Sequence, residues 1–222
     1  VSKNEYRSCV WLWRELYSIR FNQVSGMVED DDAWFDCHDD DLWIFDKLIL
    51  SRKLGYVCGP VDAWVPKPDN YIVRPCVNPA GMGRGASFEY IEKETDHLPV
   101  GYFWCEIFHG RHLSVDYYHG NQKLVTEGFR DKDNPLWKFN RWLRVDDEID
   151  FPSILDELKG NYSTINCEFI DNKLIEVHLR GNYEMGKFSE IIPIWKGEEQ
   201  STMEGYTYVE HKDFNRLGFW KK

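Results

Sequence analysis

The segment 71–93, "YIVRPCVNPAGMGRGASFEYIEK", joins two strand-like runs through a connection rich in glycine. Gly81, Gly83 and Gly85 alternate with larger residues. A hairpin turn needs only one or two residues at positive φ, whereas three alternating glycines leave backbone N–H groups free to approach an anion. The segment lacks the Gly-Lys-Ser/Thr ending of a P-loop, and no clear helical pattern follows it. It therefore predicts either an ordinary hairpin or a loop that closes over phosphate groups.

Length and charge limit the class of protein. The chain has 222 residues, of which 42% are hydrophobic, enough for one large domain or two small ones sharing a core. The net charge is −11, and the 27 Lys and Arg are scattered among 38 Asp and Glu. This distribution argues against a nucleic-acid partner, because binding a phosphate backbone needs basic residues on one face. No signal peptide and no bilayer-length apolar run is evident, so we expect a cytoplasmic protein without a membrane partner.

Cysteine and tryptophan usage indicates an ordered interior. None of the cysteines has C-x-x-C spacing and several lie in apolar runs, so we expect buried, reduced thiols. The 10 Trp are expected to anchor the core or an interface, with ligand stacking as the alternative. The six cysteines are Cys9, Cys37, Cys58, Cys76, Cys105 and Cys167.

Apolar periodicity predicts an α+β fold with antiparallel sheets. The Asp-rich stretch 29–41 is expected to be a solvated acidic loop that caps the next helix, because it lacks the alternating spacing and central glycine of a calcium loop. We expect a turn at 58–60, and 135–145 remains ambiguous. Helices are predicted over 5–22, 42–55 and 151–160, and strands near 71–76, 87–93, 100–108, 111–118, 122–129, 163–170, 173–181 and 206–211.

Two acidic residues flank the predicted tight turn "DNK" on adjacent strands. Glu168 and Glu176 could together hold Mg²⁺ that bridges phosphate oxygens, with Arg180 four residues further on. The alternative is a surface pair of like charges, which would be mildly destabilising if the two faced each other.

In their order along the chain, these segments resemble the ATP-grasp superfamily over roughly residues 42–182. "FDKLILSRKLGYVCGP" (45–60) looks like the family's Asp-Lys helix, and "YIVRPCVNPAGMGRGA" (71–86) is similar to its Lys-Pro strand and glycine-rich loop. "CEIFHGRHLSVD" (105–116) resembles the hinge pattern, and "CEFIDNKLIEVHLRGN" (167–182) is similar to the metal-binding strands. The resemblance implies two α+β subdomains with antiparallel sheets that clamp ATP. It implies a helix and acidic loop at 1–41, a small subdomain at 42–108 and a large subdomain at 109–222.

The resemblance also implies roles for individual residues. Lys47 and Arg180 would act in catalysis, and Glu168 and Glu176 would bind the metal. Three positions depart from the family's pattern. Arg74 occupies the position of a lysine, and His112 occupies the position of the glutamate that binds ribose. His178 occupies the position of a metal-binding asparagine. The residues implied to contact ATP are Lys47, Arg74, Gly81, Met82, Gly83, Gly85, Glu106, Phe108 and His112.

Three functions remain open from the sequence. The first is an ATP- and Mg²⁺-dependent ligase that joins small-molecule or peptide acids to amines, or to thiols, through an acyl-phosphate. The second is a catalytically degenerate protein of the same fold, phage-encoded for example, that binds a nucleotide or a protein partner. The third is a Trp-rich carbohydrate- or peptide-binding module. The glycines, the lysine and the paired acids favour the first two, because they occur in the expected order.

Overall fold

The computed structural model describes residues 33–34, 36–77, 83–198, 202–213 and 215–222. These residues form two antiparallel sheets with short helices, which confirms the predicted α+β class. The helix predicted over 5–22 lies outside the described residues, as do Gly81 and Met82.

The smaller sheet has four strands in the order β1-β4-β2-β3. Alternation along β2 buries Tyr71 and Val73, which pack with Ile91 and Trp104 in a compact apolar cluster. Arg74 lies on the opposite face of the strand, because successive side chains of a strand point to opposite sides. The strands are β1 (Cys58–Pro60), β2 (Asp69–Pro75), β3 (Ser87–Ile91) and β4 (Tyr102–Glu106).

The larger sheet has eight strands in the order β11-β12-β10-β7-β6-β5-β8-β9. Its core lies on one face, where Leu113, Val115 and Tyr117 of β5 are buried beside Leu155 and Leu158 of a 3₁₀-helix. The strands are β5 (His112–Tyr118), β6 (Asn121–Phe129), β7 (Arg141–Arg144), β8 (Thr164–Ile170), β9 (Lys173–His178), β10 (Glu190–Trp195), β11 (Thr207–Asp213) and β12 (Arg216–Lys221).

The single helix predicted over 42–55 is two helices. A 3₁₀-helix spans Asp39–Phe45, and the α-helix α1 spans Lys47–Lys53. Asp46 between them has extended backbone, and its carboxylate accepts a hydrogen bond from the Ile49 N–H at 3.0 Å. This side chain caps α1, so the chain starts a new helix where the sequence predicts a continuous one. The last residues of the predicted acidic loop belong to the 3₁₀-helix.

Other local predictions also need correction. Residues 58–60 form strand β1 instead of a turn, and the helix predicted over 151–160 is a 3₁₀-helix, Ser153–Gly160. The ambiguous stretch 135–145 contains β7. Strands β10 and β12 have no predicted counterpart.

The described helices are short. None of them combines the length and the apolar composition needed to cross a bilayer.

Candidate functional site

A polar face lies on the side of the large sheet opposite its core. Alternation in β5 buries Leu113, Val115 and Tyr117 on the core side, so the residues between them point the other way. The strand register extends this face over β8 and β9 in two rows of direct cross-strand partners. One row is Ser114, Glu168 and Glu176, and the other is Asp116, Asn166 and His178.

The predicted carboxylate pair is present. Glu168 and Glu176 are direct Cα partners on β8 and β9. Asp171 and Asn172 adopt φ of 49° and 61° in the turn between the strands, a conformation that Asp and Asn tolerate better than most residues. The tight turn therefore brings two like charges face to face, as the sequence predicts, and they need a compensating positive charge.

Lys47 supplies part of that compensation. It is the first residue of α1, which packs against β1 and β9. Its Nζ lies 2.9 Å from Glu176 Oε1, and its side chain is only 7% exposed. Its backbone N–H donates to the Cys76 carbonyl at 2.7 Å, which ties the start of the helix to the end of β2. A lysine so buried has to be paired, because an isolated buried charge is costly.

Histidines balance the other carboxylate. His112 Nε2 lies 3.0 Å from Glu168 Oε2, and its ring meets Phe139 and Trp142 edge-on. His178 Nε2 lies 3.9 Å from Glu168 and 3.7 Å from Glu176. Burial raises the pKa of Glu168, but the hydrogen bond to His112 and the nearby positive charges outweigh it and lower the pKa to about 2.

The depressed pKa of Glu168 predicts a loss of stability in acid. A carboxylate with a lowered folded-state pKa contributes stability above its unfolded pKa, and that contribution is lost as the pH falls toward about 2. We expect Glu168→Gln to lack this contribution, so the difference in free energy of unfolding between wild type and variant should shrink as the pH drops from about 6 to about 3. Urea unfolding across this range measures it. The exposed Glu94→Gln is the control, and a difference that does not vary with pH would contradict the pairing.

Arg74 brings a second cation to the same part of β9. Its Nη2 donates to the Ile175 carbonyl at 3.0 Å, one residue before Glu176. Its guanidinium lies over the Phe103 ring, with 5.3 Å from Cζ to the ring centroid. Its Nε is buried without a hydrogen-bond partner. An unpaired buried donor costs about 1–3 kcal/mol, so this N–H favours an acceptor that a ligand would bring.

Arg180 follows β9 in a bend fixed by a residue that the sequence analysis did not select. Asp116 accepts the Asn182 N–H on both carboxylate oxygens, at 2.9 and 3.1 Å, and also accepts from Asn166 Nδ2 at 2.8 Å. Arg180 Nη1 donates to the Gly181 carbonyl at 3.1 Å. Asp116 thus holds the segment that carries Arg180. The alternation of polar and apolar residues in "HLSVD" (112–116) indicates that Asp116 shares a face of the strand with His112.

The predicted hinge joins the end of β4 to the loop before β1. Glu106 Oε1 accepts the Val57 N–H at 2.8 Å, and the Glu106 N–H donates to the Val57 carbonyl at 2.8 Å. The Phe108 ring packs edge-on against Tyr56 with 4.7 Å between centroids. Glu106 also lines a cavity of about 760 Å³. Lys47 does not line that cavity.

The described end of the glycine-rich segment has the backbone that its sequence predicts. Gly83 and Gly85 have φ of 60° and 81°. A Cβ on Gly85 would lie 2.6 Å from the Tyr102 hydroxyl, so this position excludes larger residues.

The donor set fits Mg²⁺ only in part. Within the described ranges, no group of three His, Cys, Asp or Glu side chains is arranged to hold a metal ion. Mg²⁺ is commonly held by one or two carboxylates together with substrate phosphates, and the opposed Glu168 and Glu176 supply that number. The residues present therefore fit Mg²⁺ that arrives with a phosphorylated ligand. The imidazole of His178 is a poorer ligand for this ion than an oxygen.

Three solved structures have a similar fold and are distant in sequence. An L-amino acid ligase from Bacillus licheniformis matches with a TM-score of 0.54 at 12% identity, over 99% of this chain and 79% of that protein. A carboxyaminoimidazole ribonucleotide synthase from Aspergillus clavatus, complexed with ATP, matches with a TM-score of 0.53 at 11% identity, over 83% of this chain and 69% of that protein. An N5-carboxyaminoimidazole synthetase from Staphylococcus aureus matches with a TM-score of 0.50 at 13% identity, over 81% of this chain and 67% of that protein.

These matches concern the fold. No protein-family model and no curated protein matches the sequence. The chain spans between 67 and 79% of the lengths of the three proteins. Structures of an ATP-grasp superfamily protein from Archaeoglobus fulgidus and of two ligases also match, at lower TM-scores. The chain therefore has the α+β fold of the three proteins compared above, as expected from its resemblance to the ATP-grasp superfamily.

Proposed function

We propose that the protein is an ATP- and Mg²⁺-dependent ligase that joins a carboxylic acid to an amine, or to a thiol, through an acyl-phosphate. The observation that carries this proposal is the convergence of Lys47 and Arg74 on one stretch of β9. Lys47 contacts Glu176 and Arg74 contacts the preceding residue. The ATP-grasp fold supports the same function, and one of the similar proteins was solved with ATP.

In this proposal, Lys47 and Arg74 bind the phosphate groups. Lys47 exchanges part of its contact with Glu176 for a phosphate oxygen, and the unpaired Arg74 Nε–H gains an acceptor. The glycine-rich segment, including Gly81, Met82, Gly83 and Gly85, closes over the β- and γ-phosphates with its backbone N–H groups. The chain around Glu106 and Phe108 contacts adenine, and His112 contacts the ribose.

Glu168 and Glu176 are the residues that hold Mg²⁺ in this proposal. A bound Mg²⁺ would supply positive charge against the phosphate oxygens. Glu168 and Glu176 would hold the ion in exchange for part of their contacts with His112 and Lys47. Lys47 is then free to contact phosphate.

Arg180 stabilises the negative charge that develops on the transferred group, and Asp116 keeps its segment in position. The substrates are a small-molecule or peptide acid together with an amine or thiol acceptor. The site supplies positive side chains for the carboxylate and phosphate oxygens. Such a reaction requires positive charge at these oxygens.

Glu176→Gln tests the metal assignment. We expect the variant to fold and to bind ATP with Mg²⁺ at least tenfold more weakly than wild type, because an amide oxygen cannot match a carboxylate as a Mg²⁺ ligand. Affinity for ATP without Mg²⁺ should change less. Calorimetric titration with and without Mg²⁺ separates the two effects.

Glu190→Gln is the control for this experiment, since Glu190 is a half-buried carboxylate of β10 that accepts a hydrogen bond from Tyr206. It should leave the affinity for Mg²⁺ and ATP unchanged. Equal affinity in Glu176→Gln and wild type would remove Glu176 from the metal site.

A further inference from the structure

The small sheet carries two cysteines at directly opposed positions. Cys58 in β1 is the Cα partner of Cys105 in β4. The preceding pair is hydrogen-bonded, because the Glu106 N–H donates to the Val57 carbonyl. Hydrogen-bonded and non-hydrogen-bonded pairs alternate along antiparallel strands, so the cysteines form a non-hydrogen-bonded pair. Pro60, which has no N–H to donate, occupies the next non-hydrogen-bonded position, opposite Phe103.

This position brings two side chains as close as neighbouring strands allow. Cα atoms of a non-hydrogen-bonded pair lie about 4.5 Å apart, and both side chains project to the same face. A disulfide joins Cα atoms about 4.4–6.8 Å apart. The thiols of Cys58 and Cys105 are both free. A bond between the two sulfurs is therefore compatible with the existing backbone.

The two thiols differ in reactivity. Cys58 is half-buried, and its interaction with Cys105 lowers its pKa against the effect of burial, helped by the positive charges of Arg52 and Arg74. Cys105 is buried, and its interaction with Cys58 together with burial raises its pKa. The thiolate is the nucleophile in thiol–disulfide exchange. Cys58 is thus the attacking sulfur and Cys105 the resolving one.

We propose that Cys58 and Cys105 form a redox-active dithiol that a low-molecular-weight disulfide oxidises to an intrachain disulfide. The Cys58 thiolate attacks one sulfur of the small disulfide, forms a mixed disulfide and releases one small thiolate. Cys105 then loses its proton and attacks the Cys58 sulfur, which releases the second small thiolate. The protein loses two electrons and two protons, and the small disulfide is reduced to two thiols.

The disulfide cross-links the edge strand β1 to β4 one residue before Glu106. Cys105 is also the Cα partner of Ile72, which shares its face of β2 with Arg74. Oxidation therefore covalently fixes the part of the small sheet next to Arg74. The inference does not depend on ligase activity, because it rests on the strand register and on the difference between the two thiols.

Treatment of the reduced, folded protein with oxidised glutathione tests the proposal. The Cys9→Ser variant serves as the parent, because Cys9 lies outside the described residues. We expect intact-mass spectrometry to show the loss of two hydrogen atoms. Non-reducing peptide mapping should show one cross-linked species that contains Cys58 and Cys105.

Single variants separate the two roles. Cys105→Ser should stop at a glutathione adduct on Cys58, and Cys105→Ala gives the same readout if the serine variant does not fold. Cys58→Ser should leave Cys105 unmodified. A parent protein that stays reduced, retains glutathione on Cys58 or links a different pair of cysteines would overturn the proposal.

Discussion

Replacing Lys47 with methionine should lower the free energy of unfolding by about 3 kcal/mol, the largest stability effect that the site predicts. The substitution keeps most of the side-chain volume and removes the ammonium group that lies 2.9 Å from Glu176. It leaves a carboxylate, only 15% exposed, opposite Glu168 on the neighbouring strand. His178, 3.7 Å away, offsets part of the loss. Denaturant unfolding at neutral pH measures the change.

Two further variants make this result specific. Lys47→Met combined with Glu176→Gln should recover much of the loss, because the uncompensated charge is then gone. Lys173→Met, at an exposed position on β9, the strand that carries Glu176, should change the free energy of unfolding by less than about 0.5 kcal/mol. If Lys47→Met and Lys173→Met are equally stable, the buried ion pair does not support the fold.

Replacing Arg180 with lysine should reduce ADP formation by roughly a hundredfold or more, the scale for the loss of a donor that acts in the transition state. The charge is retained, but the planar guanidinium geometry is lost. The melting temperature and the affinity for ATP with Mg²⁺ should stay close to those of wild type. The assay is ADP release with a panel of amino acids and small peptides as substrates.

Arg144→Lys is the matched control, since Arg144 is exposed and donates to the Gly186 carbonyl at 2.6 Å, much as Arg180 donates to Gly181. It should leave ADP formation unchanged. A purely structural Arg180 would instead lower the melting temperature, binding and turnover together. If the wild-type protein binds ATP with Mg²⁺ but releases no ADP with any substrate, the catalytically degenerate alternative replaces the ligase.

The fold was predictable where periodicity is strong and local. Strands β5, β8 and β9 alternate apolar and polar residues, and this pattern also defines the polar face. Strand β1 was missed because "CGP" is typical of a turn. Pro60 is tolerated there because β1 is an edge strand and Pro60 occupies a position where no N–H is needed. The break at Asp46 was missed because a capping side chain interrupts an otherwise helical pattern.

For the candidate site, the sequence pattern predicts which two carboxylates face each other across the turn, but not the contacts that the candidate residues make with the rest of the chain. The tight turn alone brings Glu168 opposite Glu176. The pairing of Lys47 with Glu176 and of His112 with Glu168 depends on how helix α1 and strand β5 pack against distant strands, which no local pattern encodes. The role of Asp116 has the same origin, since it holds a bend far along the chain.

If Lys47 and Arg74 bind the phosphates of ATP, the ligand should stabilise the folded protein against unfolding. Unfolding of the wild-type protein should be measured alone, with adenosine, and with ATP and Mg²⁺. At a ligand concentration of 100 times Kd, ATP with Mg²⁺ should raise the free energy of unfolding by about 2.7 kcal/mol, and adenosine at the same concentration should raise it much less. The absence of any shift with ATP or another nucleotide would contradict the account and favour a carbohydrate- or peptide-binding module.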